Sequence, residues 1–299
     1  MSHFPDTKNY YHGIFFLLLM MLVSCFNDVV AKFLGKRLDS IEIIFFRFFF
    51  SFITLIPFVV VRGAAIFKTS NWRLNVLRGI LGAASFYLYT YALMQIHIVE
   101  IVTIMWTIPL FALVLSIFFL KEQVNIIRWI STLIGFLGLA FITLYDSDAS
   151  FSFKFVYIFP IASSFLFAVQ DIMVKKMLVK DNRITMLLYF AIVGSVLTFF
   201  PAIFVWKNPT LFELSMLLLL GFFANLMQFF IFRAFEAADL SALAPFRYVE
   251  FLLSAFLGYI FFGEIARSNV LIGAMILVPS TLYLVYSERS QGKKRQRKK

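Results

Sequence analysis

Residues 21–47 read MLVSCFNDVVAKFLGKRLDSIEIIFFR, and residues 164–190 read SFLFAVQDIMVKKMLVKDNRITMLLYF. Each stretch sets an amide beside an aspartate inside an apolar run and puts a lysine four residues further on. Asn27-Asp28 with Lys32 thus matches Gln170-Asp171 with Lys175 at a shift of 143. Downstream the shift is 142, where Gly79 matches Gly221, Ala92 matches Ala234, Trp106 matches Tyr248, and Phe119-Leu120-Lys121-Glu122 matches Phe261-Phe262-Gly263-Glu264. Apolar coincidences are cheap in a chain with 41 Phe, but polar ones at one offset are not. The sequence is a duplication.

The medium in which the two copies fold follows from composition. Of 299 residues 62% are hydrophobic and 14% charged, and the mean hydropathy is +0.89. Soluble domains carry about 25% charged residues, so an ordinary cytosolic enzyme is excluded. Apolar runs fall near 13–33, 41–61, 74–94, 97–120, 126–145, 155–177, 184–206, 211–233, 241–262 and 268–286. Lipid admits only helices or closed barrels, and these runs are too long for barrel strands. The expected fold is therefore an all-α membrane protein of ten transmembrane helices. Each repeat holds five spans, and an odd number turns the second copy upside down, so the repeats are inverted.

The expected organisation is a cytoplasmic tail at 1–12, a first repeat at 13–145, an outer linker at 146–154, a second repeat at 155–286 and a basic cytoplasmic tail at 287–299. The first run, with Asn27 and Asp28 inside it and no small-residue cleavage site, reads as a span and not as a removed signal peptide. With the N-terminus inside, the inner loops and tails collect 19 Lys and Arg, Arg78 among them, against six outside. This asymmetry places both termini in the cytoplasm. The excess of 27 basic over 16 acidic residues is thus an orientation signal and not a nucleic-acid surface. The single Cys25 excludes a disulfide framework and a Cys-based metal site, and no cofactor or metal is expected.

Charges inside spans point to the site, because each costs at least about 2.5–3.5 kcal/mol unless it is paired or faces water. Asp28, Arg47, Asp171, Arg247 and Glu250 are the deepest. Counting about 1.5 Å per residue from the span ends, Asp28 and Arg47 share an outer level and Asp171 and Arg247 the mirror level inside. These read either as alternating gates or, for the aspartates, as helix-end partners of Lys32 and Lys175. Arg247 and Glu250 lie one turn apart on one face and read as a clamp for a carboxylate and an ammonium, or as a self-neutralising pair. Trp106 and Tyr248, matched and mid-helix, either pack or sandwich a ring or a cation. Asn225 and Gln228 line the cavity or bond across helices, and Gly79 and Gly82 read first as close helix packing.

Inverted repeats are a common plan of secondary transporters, with the site at the midplane. The sequence resembles the drug/metabolite transporter superfamily, and within it the EamA-type ten-helix carriers. The resemblance rests on the two halves, the short connections Ala92–His97 and Ala234–Asp239, and the glutamates Glu122 and Glu264; Lys121 stands where a Gly often precedes that Glu. In length and Phe-rich spans the chain is most similar to carriers that take up S-adenosylmethionine in obligate intracellular bacteria. The resemblance implies a carrier in the bacterial inner membrane whose partners are the lipid bilayer and a small molecule, S-adenosylmethionine or a related amino-acid-like metabolite. An exporter of amino acids or cationic compounds fits the same residues. A lipid-modifying intramembrane enzyme is the rival from another class, opposed by the absence of an HExxH motif and of a nucleophile with an adjacent base. Exchange and proton coupling both remain open, as do transport direction and oligomeric state.

Overall fold

The computed structural model describes residues 7–95, 101, 104–105, 107–122, 124, 126–130, 132–134, 137 and 155–263. Within them the helices are α1 (Thr7–Leu34), α2 (Ser40–Arg62), α3 (Trp72–Gln95), α4 (Thr107–Leu115), α5 (Ile158–Met177), α6 (Arg183–Ile203), α7 (Leu211–Ala237), α8 (Leu240–Leu243) and α9 (Val249–Phe262). Residues 138–145 of the expected span 126–145, the linker 146–154, the span 268–286 and the tail 287–299 lie outside the described residues.

Local chemistry fixes where the helices begin. Asp39 and Asn182 cap α2 and α6, their side chains accepting from Ile41 N at 3.0 Å and Ile184 N at 2.9 Å. Thr210 and Glu213 form a reciprocal capping box at α7. Five described helical segments are long and apolar enough to cross a membrane: 10–34, 40–67, 155–177, 183–203 and 211–237. The chain is thus a multi-pass helical membrane protein. Large side chains such as Phe15, Phe118, Phe200 and Phe222 stay exposed, as lipid-facing residues do.

Two expectations need correction. The first helix already begins at Thr7, so residues 7–12 belong to it and not to a separate tail. The run 241–262 is not one helix: α8 ends after four residues, a 3₁₀ turn covers Ala244–Tyr248, and α9 starts at Val249. Pro245, lacking an N–H, sits in the first turn of the 3₁₀ segment, where a helix cannot run through it unbroken. After α4 the chain carries an irregularity of its own, a π turn over Ser116–Leu120 that ends in Lys121 at φ +54°. Gly263, the repeat counterpart of Lys121, has φ +67°. The lysine therefore keeps the left-handed turn at some steric cost.

The packing comes in matched pairs. α1 lies along α7 as α5 lies along α3; α2 meets α7 as α6 meets α3; α1 meets α9 as α5 meets α4. At the two middle crossings stand the matched glycines. A Cβ on Gly79 would lie 2.6 Å from Val193, and one on Gly221 would lie 2.6 Å from Phe50 Cβ and the Ser51 backbone nitrogen. Val193 and Phe50 are themselves 143 residues apart. The sequence repeat is thus a repeat of helix crossings, and Gly79 and Gly82 serve close packing, Gly82 lying against the Phe190 ring.

Candidate functional site

Between α1, α2, α3, α4, α5, α7 and α9 lies a cavity of about 150 Å³. Its wall carries Asp28, Asp171 and Glu250 together with Arg47, Arg78 and Arg247. Three carboxylates and three guanidiniums balance in one chamber, which keeps the expense of burying each of them down. All five charges singled out in the sequence therefore converge, the gate and clamp residues sharing one cavity.

Of the pairings that the sequence leaves open, the structure forms the one between Asp171 and Arg247. Arg247 Nη2 lies 2.6 Å from Asp171 Oδ2, joining the broken run 241–262 to α5. Arg247 therefore does not pair with Glu250. Glu250 takes its hydrogen bond from Ser24 on α1, and Asp28 takes one from the Tyr89 hydroxyl on α3. Among the described residues neither Asp28 nor Glu250 makes an ion pair, and the two are close enough for their charges to repel. Arg47, whose charge acts on Asp28, sits over the Phe86 ring at 3.8 Å. One end of the cavity is thus a closed ion pair, and the other holds two carboxylates without a direct cationic partner.

Lys175 does not pair with Asp171 either. Its Nζ donates to the carbonyls of Phe235 and, at 2.6 Å, Ala238, so it caps the C-terminus of α7. Nearby, Glu122 accepts from the backbone nitrogens of Leu240 at 3.1 Å and Ser241 at 3.0 Å, holding the start of α8. Arg128 reaches Asp239 at 3.5 Å and Ser241 Oγ at 2.8 Å. Burial pushes the Asp239 carboxyl up, Glu122 adds to the shift, and Arg128 and Lys175 oppose it. A polar cluster therefore fastens the approach to the broken segment that bears Arg247.

Arg78 is the residue the sequence reading misplaced. It was expected among the inner loop basics, yet it lies within α3, 1% exposed, on the cavity wall. Its Nη2 donates to Gln228 Oε1 at 2.8 Å, and its guanidinium lies 4.4 Å from the Phe190 ring and 5.2 Å from that of Phe232. Removing it from the loop count leaves the basic asymmetry in place. The available signal was its position inside the run 74–94, one residue before Gly79, where a helix crossing buries whatever adjoins it.

Gln228 lines the cavity, held by Arg78. Asn225 does not line it: its amide donates to the Ser51 carbonyl at 2.7 Å and Thr54 Oγ1 at 2.8 Å, and its Oδ1 accepts from Ser51 Oγ at 2.5 Å. A primary amide with three partners on α2 is a bond across helices. Trp106 and the side chain of Tyr248 lie outside the described residues; the backbone of Tyr248 ends the 3₁₀ turn. The aromatic wall that is described consists of Phe86, Tyr89 and Phe167, with the Phe86 and Phe167 rings edge to face at 4.9 Å.

The model of the EamA-like transporter family matches the chain twice, over residues 11–144 and 154–286. S-adenosylmethionine uptake transporters of Rickettsia bellii (strain RML369-C) and Rickettsia conorii (strain ATCC VR-613 / Malish 7) are 42% and 40% identical to it over 282 residues. Those alignments cover 94% of this chain and 96% and 95% of the relatives. A riboflavin transporter of Vibrio cholerae is 25% identical over 94% of this chain and 95% of its own length. A crystal structure at 16% identity superposes with a TM-score of 0.77, covering 96% of this chain and 99% of its own, a likeness of fold.

Proposed function

The chain belongs to the EamA-like transporter family, and from that premise we propose that it takes up S-adenosylmethionine by alternating access of two inverted five-helix repeats. Membership makes it a transporter and not an enzyme. The observation that carries the substrate is the cavity itself, which brings the carboxylates of Asp28 and Glu250, the guanidinium of Arg47 and an aromatic flank together in one wall. S-adenosylmethionine bears an ammonium, a sulfonium, a carboxylate and a purine. Asp28 and Glu250, which make no ion pair among the described residues, suit the two cations. Arg47 suits the carboxylate, since Arg247 is engaged by Asp171. Phe86 and Phe167 offer ring faces and edges to the base, a part that Trp106 and Tyr248 share in this proposal. The relatives at 40–42% identity over nearly the whole chain, named for uptake of this molecule, support the same substrate.

The present volume is below the roughly 300 Å³ at which ligand pockets begin, so the helices must part for such a molecule. Asp171–Arg247 is the strut that opposes the parting, and Asp28 with Arg47 is the matching gate when the carrier faces the other way. The paired contacts and matched glycine crossings support the inverted arrangement. Orientation follows the basic asymmetry: ten spans, both termini cytoplasmic, in the bacterial inner membrane. Exchange against a related metabolite such as S-adenosylhomocysteine supplies a driving gradient without ATP, in keeping with the absence of any Walker A motif in the sequence.

Bacterial cells expressing the chain test the assignment. They are expected to accumulate label from external S-adenosylmethionine above cells with an empty vector. No accumulation, with the protein shown to be in the membrane, would overturn it.

A further inference from the structure

The two halves carry an amide at the same place and use it differently. Gln170 on α5 donates through Nε2 to Ser85 Oγ on α3 at 2.8 Å, and so bonds its repeat half to the other. Its counterpart Asn27, on α1, is 3% exposed and lines the cavity, yet neither its Oδ1 nor its Nδ2 has a hydrogen-bond partner among the described residues. One replacement accounts for the contrast. Ser85 corresponds to Met227 at the shift of 142, and a thioether is at best a weak acceptor for an amide N–H and offers nothing to its oxygen. Met227 lines the same cavity.

A buried amide with both ends unsatisfied is a liability that natural structures rarely keep. Here it stands beside Asp28 and one turn from Ser24, on the helix face that borders the site. The other two amides of the cavity each have one end engaged, Gln170 Nε2 by Ser85 and Gln228 Oε1 by Arg78. Among the described residues Asn27 is therefore the cavity amide whose donor and acceptor both stand open to a ligand. The charged groups of an adenosylated amino acid already have Asp28, Glu250 and Arg47. What remains is an edge with a donor next to an acceptor, which adenine presents and a primary amide complements in two hydrogen bonds.

We propose that Asn27 reads the base of the substrate, its Oδ1 accepting from the exocyclic amino group and its Nδ2 donating to the neighbouring ring nitrogen. The inference rests on the reading of the chain as an S-adenosylmethionine carrier. It makes Asn27 a specificity residue in this half of the repeat, while Gln170 has become structural in the other.

The test compares S-adenosylmethionine with its analogue lacking the 6-amino group, as competitors of labelled S-adenosylmethionine in proteoliposome counterflow. The wild type is expected to prefer the amino form by about tenfold, and Asn27→Ala to lose that preference, because a bond missing from the ligand cannot be lost again. An undiminished preference in Asn27→Ala would overturn the proposal. A second measurement needs no substrate. Asn27→Leu, which removes the unsatisfied amide, is expected to leave the melting temperature of the empty carrier unchanged or raise it; a clear fall would make Asn27 a structural residue and overturn the proposal as well. Should the wild type transport no S-adenosylmethionine, it is the substrate assignment that fails, and the thermal result still decides whether the amide is structural.

Discussion

Asp171→Asn removes the anion from the strut across the cavity. In the present state Arg247 Nη2 lies 2.6 Å from Asp171 Oδ2, with the two side chains only 12% and 14% exposed. Deleting one partner of a buried ion pair costs about 3–5 kcal/mol, because the other charge stays buried and uncompensated. The lower end applies here, since both groups border a cavity that water enters once it opens. In the state where the strut is parted, both groups are solvated and the substitution costs little. The difference, about 3 kcal/mol, moves the balance of the two states by roughly a hundredfold towards the state with the strut parted. With the strut on the cytoplasmic side, that state faces inward. The assay is labelling of a cavity cysteine, Ile108→Cys in a Cys25→Ser background, by a membrane-impermeant thiol reagent from outside. External labelling is expected to fall steeply in Asp171→Asn and to recover when the charges are exchanged in Asp171→Arg with Arg247→Asp. Labelling that is unchanged, or that rises, at equal expression would refute the assignment of this pair as the inner gate.

Among the described residues Asp28 makes no ion pair in this state, so Asp28→Asn costs little here, destabilises the other state in which Asp28 closes with Arg47, and is expected to raise the same labelling. Gly221→Ala, which pushes a methyl onto Phe50 Cβ and the Ser51 backbone, and Gly79→Ala, which pushes one onto Val193 Cβ, should each destabilise the protein by about 1–3 kcal/mol; melting temperatures in detergent read both. Lys121→Gly should stabilise by about 1 kcal/mol, since only glycine occupies the left-handed turn without steric cost, which the same measurement reads. Arg128→Ala leaves the raised Asp239 carboxyl without its main cation and should cost about 3 kcal/mol at neutral pH. The group then binds its proton more tightly folded than unfolded, so the loss in melting temperature should shrink as pH falls from 7.5 to 5.

Much of this architecture was legible because the duplication leaves its marks in polar and glycine positions. Asn27-Asp28 and Gln170-Asp171 mark the repeat, and Gly79 with Gly221 mark the two equivalent crossings. The charges of the site were legible too, since lipid tolerates so few of them. Their pairing was legible in part: the shared level of Asp171 and Arg247 was, and the partners of Glu250 and Asp28 were not. Depth along a helix places Arg247 level with Asp171 and one turn from Glu250, but which contact forms depends on the bend at Pro245, and a break inside one apolar run leaves its hydrophobicity unchanged. Arg78 was misread because the start of a span and the end of a loop look alike in sequence. Asn225 differs from Gln228 by less than a turn, and only the partners on α2 separate a helix-bonding amide from a cavity amide.

The most direct test of the central claim is counterflow in sealed proteoliposomes reconstituted with the purified carrier. Vesicles preloaded with unlabelled S-adenosylmethionine are diluted into a trace of the labelled compound, with riboflavin and single amino acids as alternative preloads and with Glu250→Gln assayed alongside. Transient accumulation of label is expected only with S-adenosylmethionine or a close adenosyl analogue inside, with a loss in Glu250→Gln of about tenfold or more in apparent affinity. Equal accumulation with riboflavin or amino acids inside, or none with S-adenosylmethionine, would contradict the assignment.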